Sequence, residues 1–365
     1  MFKDFSRMSL AQRRLVFFFV FGGGVALLLG ITAVLVASAL NANARQQGVA
    51  LTDGVTVRQW AALPGNDAYP AAVTIAPDGT VYTGSYASGA LYRIALDGSA
   101  IEMPGTRDAI GAALALAFVG DALLVVDQID TDPRSAGGSI VRVPLNVLDA
   151  DDIEPFFALP PEGFIAPSDI ALDADGMIYV SDAGRNQVYR FDGNGGDGGV
   201  WWVPPSYTTG ARMAIIGLAF DPTTNALLIG EPETNVIFRV NIADGATTEL
   251  YRHGAGADFP PGFNGMTVIP DGTIYVAALG QNGIALLTPP APDAPPAADG
   301  TPASGTLTYI AGAFRGAADV VYDTANTRLI VPNFDQSSLV VPLVQPQLPF
   351  ALDVIEFGET STQGA

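Results

Sequence analysis

The sequence has no cysteine. Disulfides, thiolate metal sites, a cysteine nucleophile and a lipid-anchor cysteine are all excluded. Lysine occurs once, as Lys3, and histidine once, as His253. A lysine Schiff base in the main domain and a His-rich zinc site are therefore excluded, and any Ser-His-Asp arrangement would have to run through His253. Positive charge is scarce as well. Lys and Arg number 17 against 37 Asp and Glu, for a net charge of −20. Phosphate binding needs a cationic surface, so nucleic acid is not an expected partner.

Charge is absent altogether from residues 15–40, "LVFFFVFGGGVALLLGITAVLVASAL". As one helix this run would measure about 39 Å, enough to cross about 30 Å of hydrocarbon. Arg7, Arg13 and Arg14 precede it and only Arg45 follows closely. The pattern predicts a single-pass signal anchor in the cytoplasmic membrane, N-terminus inside, with the rest of the chain outside. A cleavable signal peptide is the rival, with "NANA" at 41–44 offering a site after Ala44. The apolar run exceeds the usual signal-peptide length, which favours the anchor. Gly22, Ala26 and Gly30 recur every four residues. Such a stripe suits close packing on a partner helix, or it reflects the frequency of glycine in membrane helices. The expected organisation is a basic segment over 1–14, a transmembrane helix over 15–40, a stalk over 41–53, a main domain over 54–346 and a C-terminal strand or tail over 347–365.

The main domain repeats itself. Six segments begin at Ala71, Leu114, Ser168, Ile216, Asn264 and Ala318, about 43 to 54 residues apart. Each reads as an apolar strand, a polar turn, a second apolar strand, another turn and a third strand. That period is close to the roughly 40–50 residues of a propeller blade. Asp78-Gly79, Asp175-Gly176 and Asp271-Gly272 each separate two β-rich runs. They are hairpin turns, because glycine accepts the positive φ such turns need. Outer strands are expected over 100–103, 152–159, 200–204, 247–252 and 306–311. The sixth unit lacks one. Residues 55–63 align with the run before the third unit and are expected to return and close the ring; residues 350–357 are the other occupant of that slot. The predicted fold is an all-β, six-bladed propeller behind one transmembrane helix. A residue that recurs at one blade position is scaffold, so Arg93, Arg142, Arg190 and Arg239 are structural.

The run "PSDIALDADGMIYVSDAGRNQVYRF", residues 167–191, resembles an NHL repeat, and the chain over about 54–346 resembles the NHL-repeat and gluconolactonase-like six-bladed propellers. The membrane-bound strictosidine-synthase-like proteins are similar in layout. The resemblance implies a divalent metal on the propeller axis, held by a Glu of the first inner strand and by Asn and Asp residues before a Gly in later ones. Asn264-Gly265 reproduces one such step, whereas the first unit has Ala71-Ala72 and no Glu. Asp169, Asn264 and Asp319 are the candidate axial site, as oxygen ligands for Ca²⁺ or Mg²⁺ or as strand caps around channel water. Trp201 and Trp202 lie on an outer strand; one is a candidate partner contact. The insertion at 127–138 and the run at 192–199 read as solvated loops, and the Pro/Ala-rich run at 288–305 as a spacer.

Two functions follow. The first is a membrane-anchored, extracytoplasmic binding or scaffolding module, for example an accessory subunit with a protein partner in a membrane complex. The second is a metal-dependent lactonase or related hydrolase, in which Ca²⁺ polarises the substrate carbonyl and Asp169 or Asp319 moves protons.

Overall fold

A computed structural model describes residues 9–40, 47–129, 137–156, 163–196, 198–205, 216–254, 259–291, 294–295, 303–341 and 344–358. The Ala44 cleavage site, the basic segment before Ser9, the stalk up to Gln46 and the aspartates at 130 and 132 lie outside these residues. Two compact units form. One spans Gln46–Gln336 with Leu348–Ala365; the other takes in the N-terminal helical segment and Ser337–Gln347.

The first unit is a six-bladed propeller, as the repeats predict. Blade 1 runs Pro70–Ile75, Val81–Ser85, Leu91–Ile94 and Ala100–Glu102 from hub to rim. Blade 2 runs Ala113–Val119, Ala122–Asp127, Ser139–Pro144 and the two-residue Glu154–Pro155. Blade 3 is Pro167–Leu172, Ile178–Asp182, Gln187–Phe191 and Gly199–Trp202. Blade 4 is Gly217–Asp221, Ala226–Glu231, Val236–Asn241 and Thr247–Arg252. Blade 5 is Phe263–Val268, Ile274–Ala278, Gly283–Thr288 and Thr306–Gly312, extended at the rim by Val49–Ala50. Blade 6 is Val321–Asp323, Arg328–Pro332, Ala351–Phe357 and, outermost, Val55–Ala62. All neighbours pair antiparallel, and the inner strands contact one another in a closed ring. Closure removes the open edges that a lone sheet would expose.

Second strands are the most deeply covered, since each is sandwiched by the adjoining blades. Every residue of Val81–Ser85, Ala122–Asp127, Ile178–Asp182 and Ala226–Glu231 is buried. The turn glycines take the positive φ expected of them: 86° at Gly79, 79° at Gly176 and 89° at Gly272. In blade 3 the carboxylate that fastens the turn is Asp173, not Asp175. Its Oδ1 accepts from the backbone N–H of Asp175 and of Met177, both at 2.9 Å.

Blade 6 closes differently from its repeat. Residues 337–341 stand where the repeat would put a third strand, but Ser337–Val340 is a helical turn. The prolines that follow, at 342, 346 and 349, remove the donors a ladder strand needs. Ala351–Phe357 supplies the third strand and Val55–Ala62 the outer one, so both segments considered for closure are used.

The N-terminal segment corrects the sequence reading. Its expected single span is broken into an α-helix over Leu10–Phe17, a π-helical turn over Phe18–Gly22 and an α-helix over Gly23–Leu40. Among the described residues no helix is long and apolar enough to cross a membrane. The three consecutive glycines at 22–24 weaken the helix where it breaks. The longer piece has 18 residues, about 27 Å of rise against about 30 Å of hydrocarbon. The transmembrane anchor, the membrane as partner and the single-pass inner-membrane placement are therefore not supported. Gly22 ends the π turn, and Ala26 and Gly30 lie on the second helix, all three exposed.

Candidate functional site at the axial mouth

Inner strands begin, and second strands end, at one end of the propeller axis. Loops from all six blades enclose a cavity there of about 430 Å³. Its polar lining is Tyr86, Gln128, Ser168, Glu233, Asn264 and Gln336. Leu114, Ile216, Leu279 and Phe334 supply apolar wall. Tyr86 packs edge-on against Phe334, ring centroids 5.1 Å apart. Among the described residues no lysine, arginine or histidine lines it. Glu233 is exposed, and among the described residues its carboxylate has no ion-pair partner.

Buried carboxylates at the ends of second strands hold these loops in place. Asp182 accepts from the N–H groups of Ile165 at 3.0 Å and Ala166 at 2.9 Å. Glu231 accepts from those of Glu233 at 2.8 Å and Thr234 at 2.6 Å. Asp127 accepts from Gly111 N–H at 2.8 Å, and burial pushes its carboxyl above the usual range. Asp127 therefore belongs to the scaffold rather than to a solvated loop.

One step below the mouth is the hub. Asp169 Oδ1 accepts from Ile170 N–H at 2.7 Å, and Oδ2 from Leu218 N–H of blade 4 at 2.7 Å. Asp319 repeats this, Oδ1 taking Val320 N–H at 2.8 Å and Oδ2 taking Val73 N–H of blade 1 at 2.9 Å. Each aspartate is half-buried. Burial raises both above the carboxylate range; Asp319 is pushed up to about 7, and the charge of Asp319 adds to the rise at Asp169.

Asp169, Asp319 and Asn264 therefore do converge on the axis, with Asn264 in the mouth and the aspartates beneath it. They do not fit a Ca²⁺ or Mg²⁺ site. Calcium takes about 6–8 oxygen ligands, whereas the described residues bring two carboxylates and one amide to the axis, each carboxylate oxygen already sharing a main-chain N–H. A Cβ added to Gly265 would lie 1.9 Å from Asp319 Oδ1, so main chain fills the space beside that oxygen. Among the described residues no group of three or more His, Asp or Glu side chains is placed to hold a metal.

The other candidates lie away from the axis. Trp202 is buried and donates from Nε1 to Thr247 Oγ1 of blade 4 at 2.9 Å. Trp201 is partly buried, its ring edge-on to Tyr179 at 4.8 Å. His253 follows the rim strand of blade 4, its Nδ1 3.0 Å from Tyr251 Oη. Sequence reasoning missed Tyr86, Gln128, Glu233 and Gln336. The signal for them is position, since each follows a second strand and so opens on the same mouth as the inner-strand starts.

The fold and the mouth define a class: a six-bladed propeller with an acidic, otherwise neutral cavity on its axis. No protein-family model matches the chain, and no curated protein matches it. Solved structures do. The virginiamycin B lyase of Staphylococcus aureus superposes with a TM-score of 0.54 at 16% identity, covering 83% of this chain and 99% of that one. The Malassezia sympodialis allergen Mala s 1 gives 0.58 at 14% identity, covering 80% and 94%. The Xanthomonas campestris gluconolactonase XC5397 gives 0.56 at 15% identity, covering 86% and 95%. These likenesses establish the fold, in agreement with the gluconolactonase-like resemblance of the sequence.

Proposed function

We propose that the protein is a small-molecule hydrolase of lactonase type, that its site is the axial mouth, and that it works without an axial metal. The carrying observation is the mouth's inventory: one carboxylate without an ion-pair partner, Glu233, among neutral hydrogen-bonding groups. Among the described residues the lining has no cationic side chain and one carboxylate, Glu233, so a neutral, hydroxyl-bearing cyclic ester suits the cavity. Glu233 takes a proton from a water molecule, whose oxygen bonds to the ester carbonyl carbon. The amides of Asn264 and Gln128 donate to the developing oxyanion. The ring C–O bond then breaks, and the proton passes to the departing alkoxide. General-base help of this kind is worth about 10²–10⁴-fold.

The fold likeness to a gluconolactonase supports this reading. A lyase reading has less support. A virginiamycin B lyase variant with a histidine replaced by alanine is inactive, and the only histidine here lies at the rim. The membrane-anchored scaffold expected from the sequence loses its ground with the anchor.

The test is hydrolysis of a panel of neutral five- and six-membered sugar lactones in excess EDTA, by wild type and Glu233→Gln. Turnover that persists in EDTA and falls at least about a hundredfold in the variant is expected. Absence of turnover across the panel, or a fully active variant, overturns the reading.

A further inference from the structure

Blades 3 and 6 face each other across a six-bladed ring, and each directs one aspartate to the hub. Both aspartates bind in the same way, one carboxylate oxygen to their own strand and the other to the inner strand of the next blade. Asp169 thereby joins blade 3 to blade 4, and Ser181 adds a second link there by donating to Ile216 O at 2.9 Å. Gly265 N–H donates to Ala318 O at 3.0 Å, joining blade 5 to blade 6. Asp319 then joins blade 6 to blade 1, residues 246 apart in the chain, at the seam where the ring closes.

Two glycines let main chain come this close. A Cβ on Gly217 would lie 2.0 Å from Asn264 O, and one on Gly265 1.9 Å from Asp319 Oδ1. Neither aspartate forms an ion pair among the described residues. The resemblance of the sequence puts a divalent ion on this axis; here two carboxylates, each oxygen already accepting a main-chain N–H, fall short of the ligand set such an ion needs.

We propose that Asp169 and Asp319 are interblade staples standing where an axial ion would, so that two aspartates hold the ring shut at its hub and the hub takes no divalent cation. The inference is independent of whatever chemistry the mouth performs. The staples are positioning residues, and each has its own reporter amide. In Asp319→Ala both acceptor oxygens are lost. Hydrogen exchange at Val73 should then quicken by about tenfold or more, with Leu218 unchanged. Asp169→Ala should do the reverse.

The second measurement is thermal unfolding of the wild-type chain in excess EDTA and in millimolar CaCl₂ or MgCl₂. Coincident melting curves are expected. A calcium- or magnesium-dependent rise in melting temperature that either Ala variant abolishes would overturn the proposal, as would unchanged Val73 exchange in Asp319→Ala. The wild-type comparison still decides the matter if a variant fails to fold.

Discussion

Arg328 Nε donates to Asp323 Oδ2 at 2.8 Å, deep in blade 6, where the two residues are 7% and 5% exposed. The same guanidinium lies over the Trp60 ring, 4.4 Å from its centroid. Strand Arg328–Pro332 is thereby tied both to its turn and to the rim strand that arrives from the other end of the chain. Arg328→Ala would leave Asp323 buried without its counter-charge, held only by the Asn326 donors, a loss of about 3 kcal/mol. Arg328→Lys keeps the charge but loses the planar stack, so it should fall between. Denaturant unfolding reads both; a loss in Arg328→Ala below about 1 kcal/mol would mean the pair behaves as a surface contact.

Protonation of the hub gives a pH dependence with a definite sign. The folded-state position of Asp319 is about 7, against about 3.9 for an unfolded aspartate. Its contribution to stability is fully present below about pH 4 and is lost as pH rises through about 7. Asp169 is displaced in the same direction. Melting temperature should therefore fall across that window more steeply in wild type than in Asp319→Asn. Parallel profiles would mean that the carboxyl titrates as it does in the unfolded chain.

Gly265 and Gly199 make a matched pair. Added Cβ atoms would meet Asp319 Oδ1 at 1.9 Å in the first case and nothing within 4 Å in the second. Gly265→Ala should cost about 1–3 kcal/mol or more by forcing the hub apart. Gly199→Ala, on an open strand, should stay within about 0.5 kcal/mol of wild type. Equal stabilities would contradict the tight hub.

In the mouth, Asn264→Ala and Ser168→Ala should weaken binding of a neutral lactone by about fivefold or more each, from a lost hydrogen bond. Asn264 has no side-chain hydrogen bond among the described residues, so its removal should leave the melting temperature within a degree or two. Isothermal titration on folded variants separates the two effects; unchanged affinity in both would place the ligand elsewhere.

The repeat was plain in the sequence because each blade writes it locally. Asp78-Gly79 and Asp271-Gly272 carry their turns through positive φ. The recurring arginines are scaffold as well: Arg142 pairs with Asp121 at 2.6 Å and Arg239 with Asp221 at 3.1 Å, each beside its turn. The mouth was not legible in this way, since Glu233 and Gln128 come together only through closure of the ring. Asp169 and Asp319 could be placed near the axis from their repeat position. Whether their oxygens were free depended on Leu218 and Val73, which belong to other blades. The apolar run at 15–40 misled because its hydropathy ignores backbone register, which the π turn over Phe18–Gly22 resets.

Blade 6 also fixes an order of events during synthesis. Arg58 pairs with Glu356, 298 positions further along the chain, so the early strand Val55–Ala62 waits for the last one described, Ala351–Phe357. Five sheets can assemble while translation continues, but the circle stays an open arc until the final strand appears. A message cut short before codon 351 would release a protein whose earliest strand has nothing to pair with.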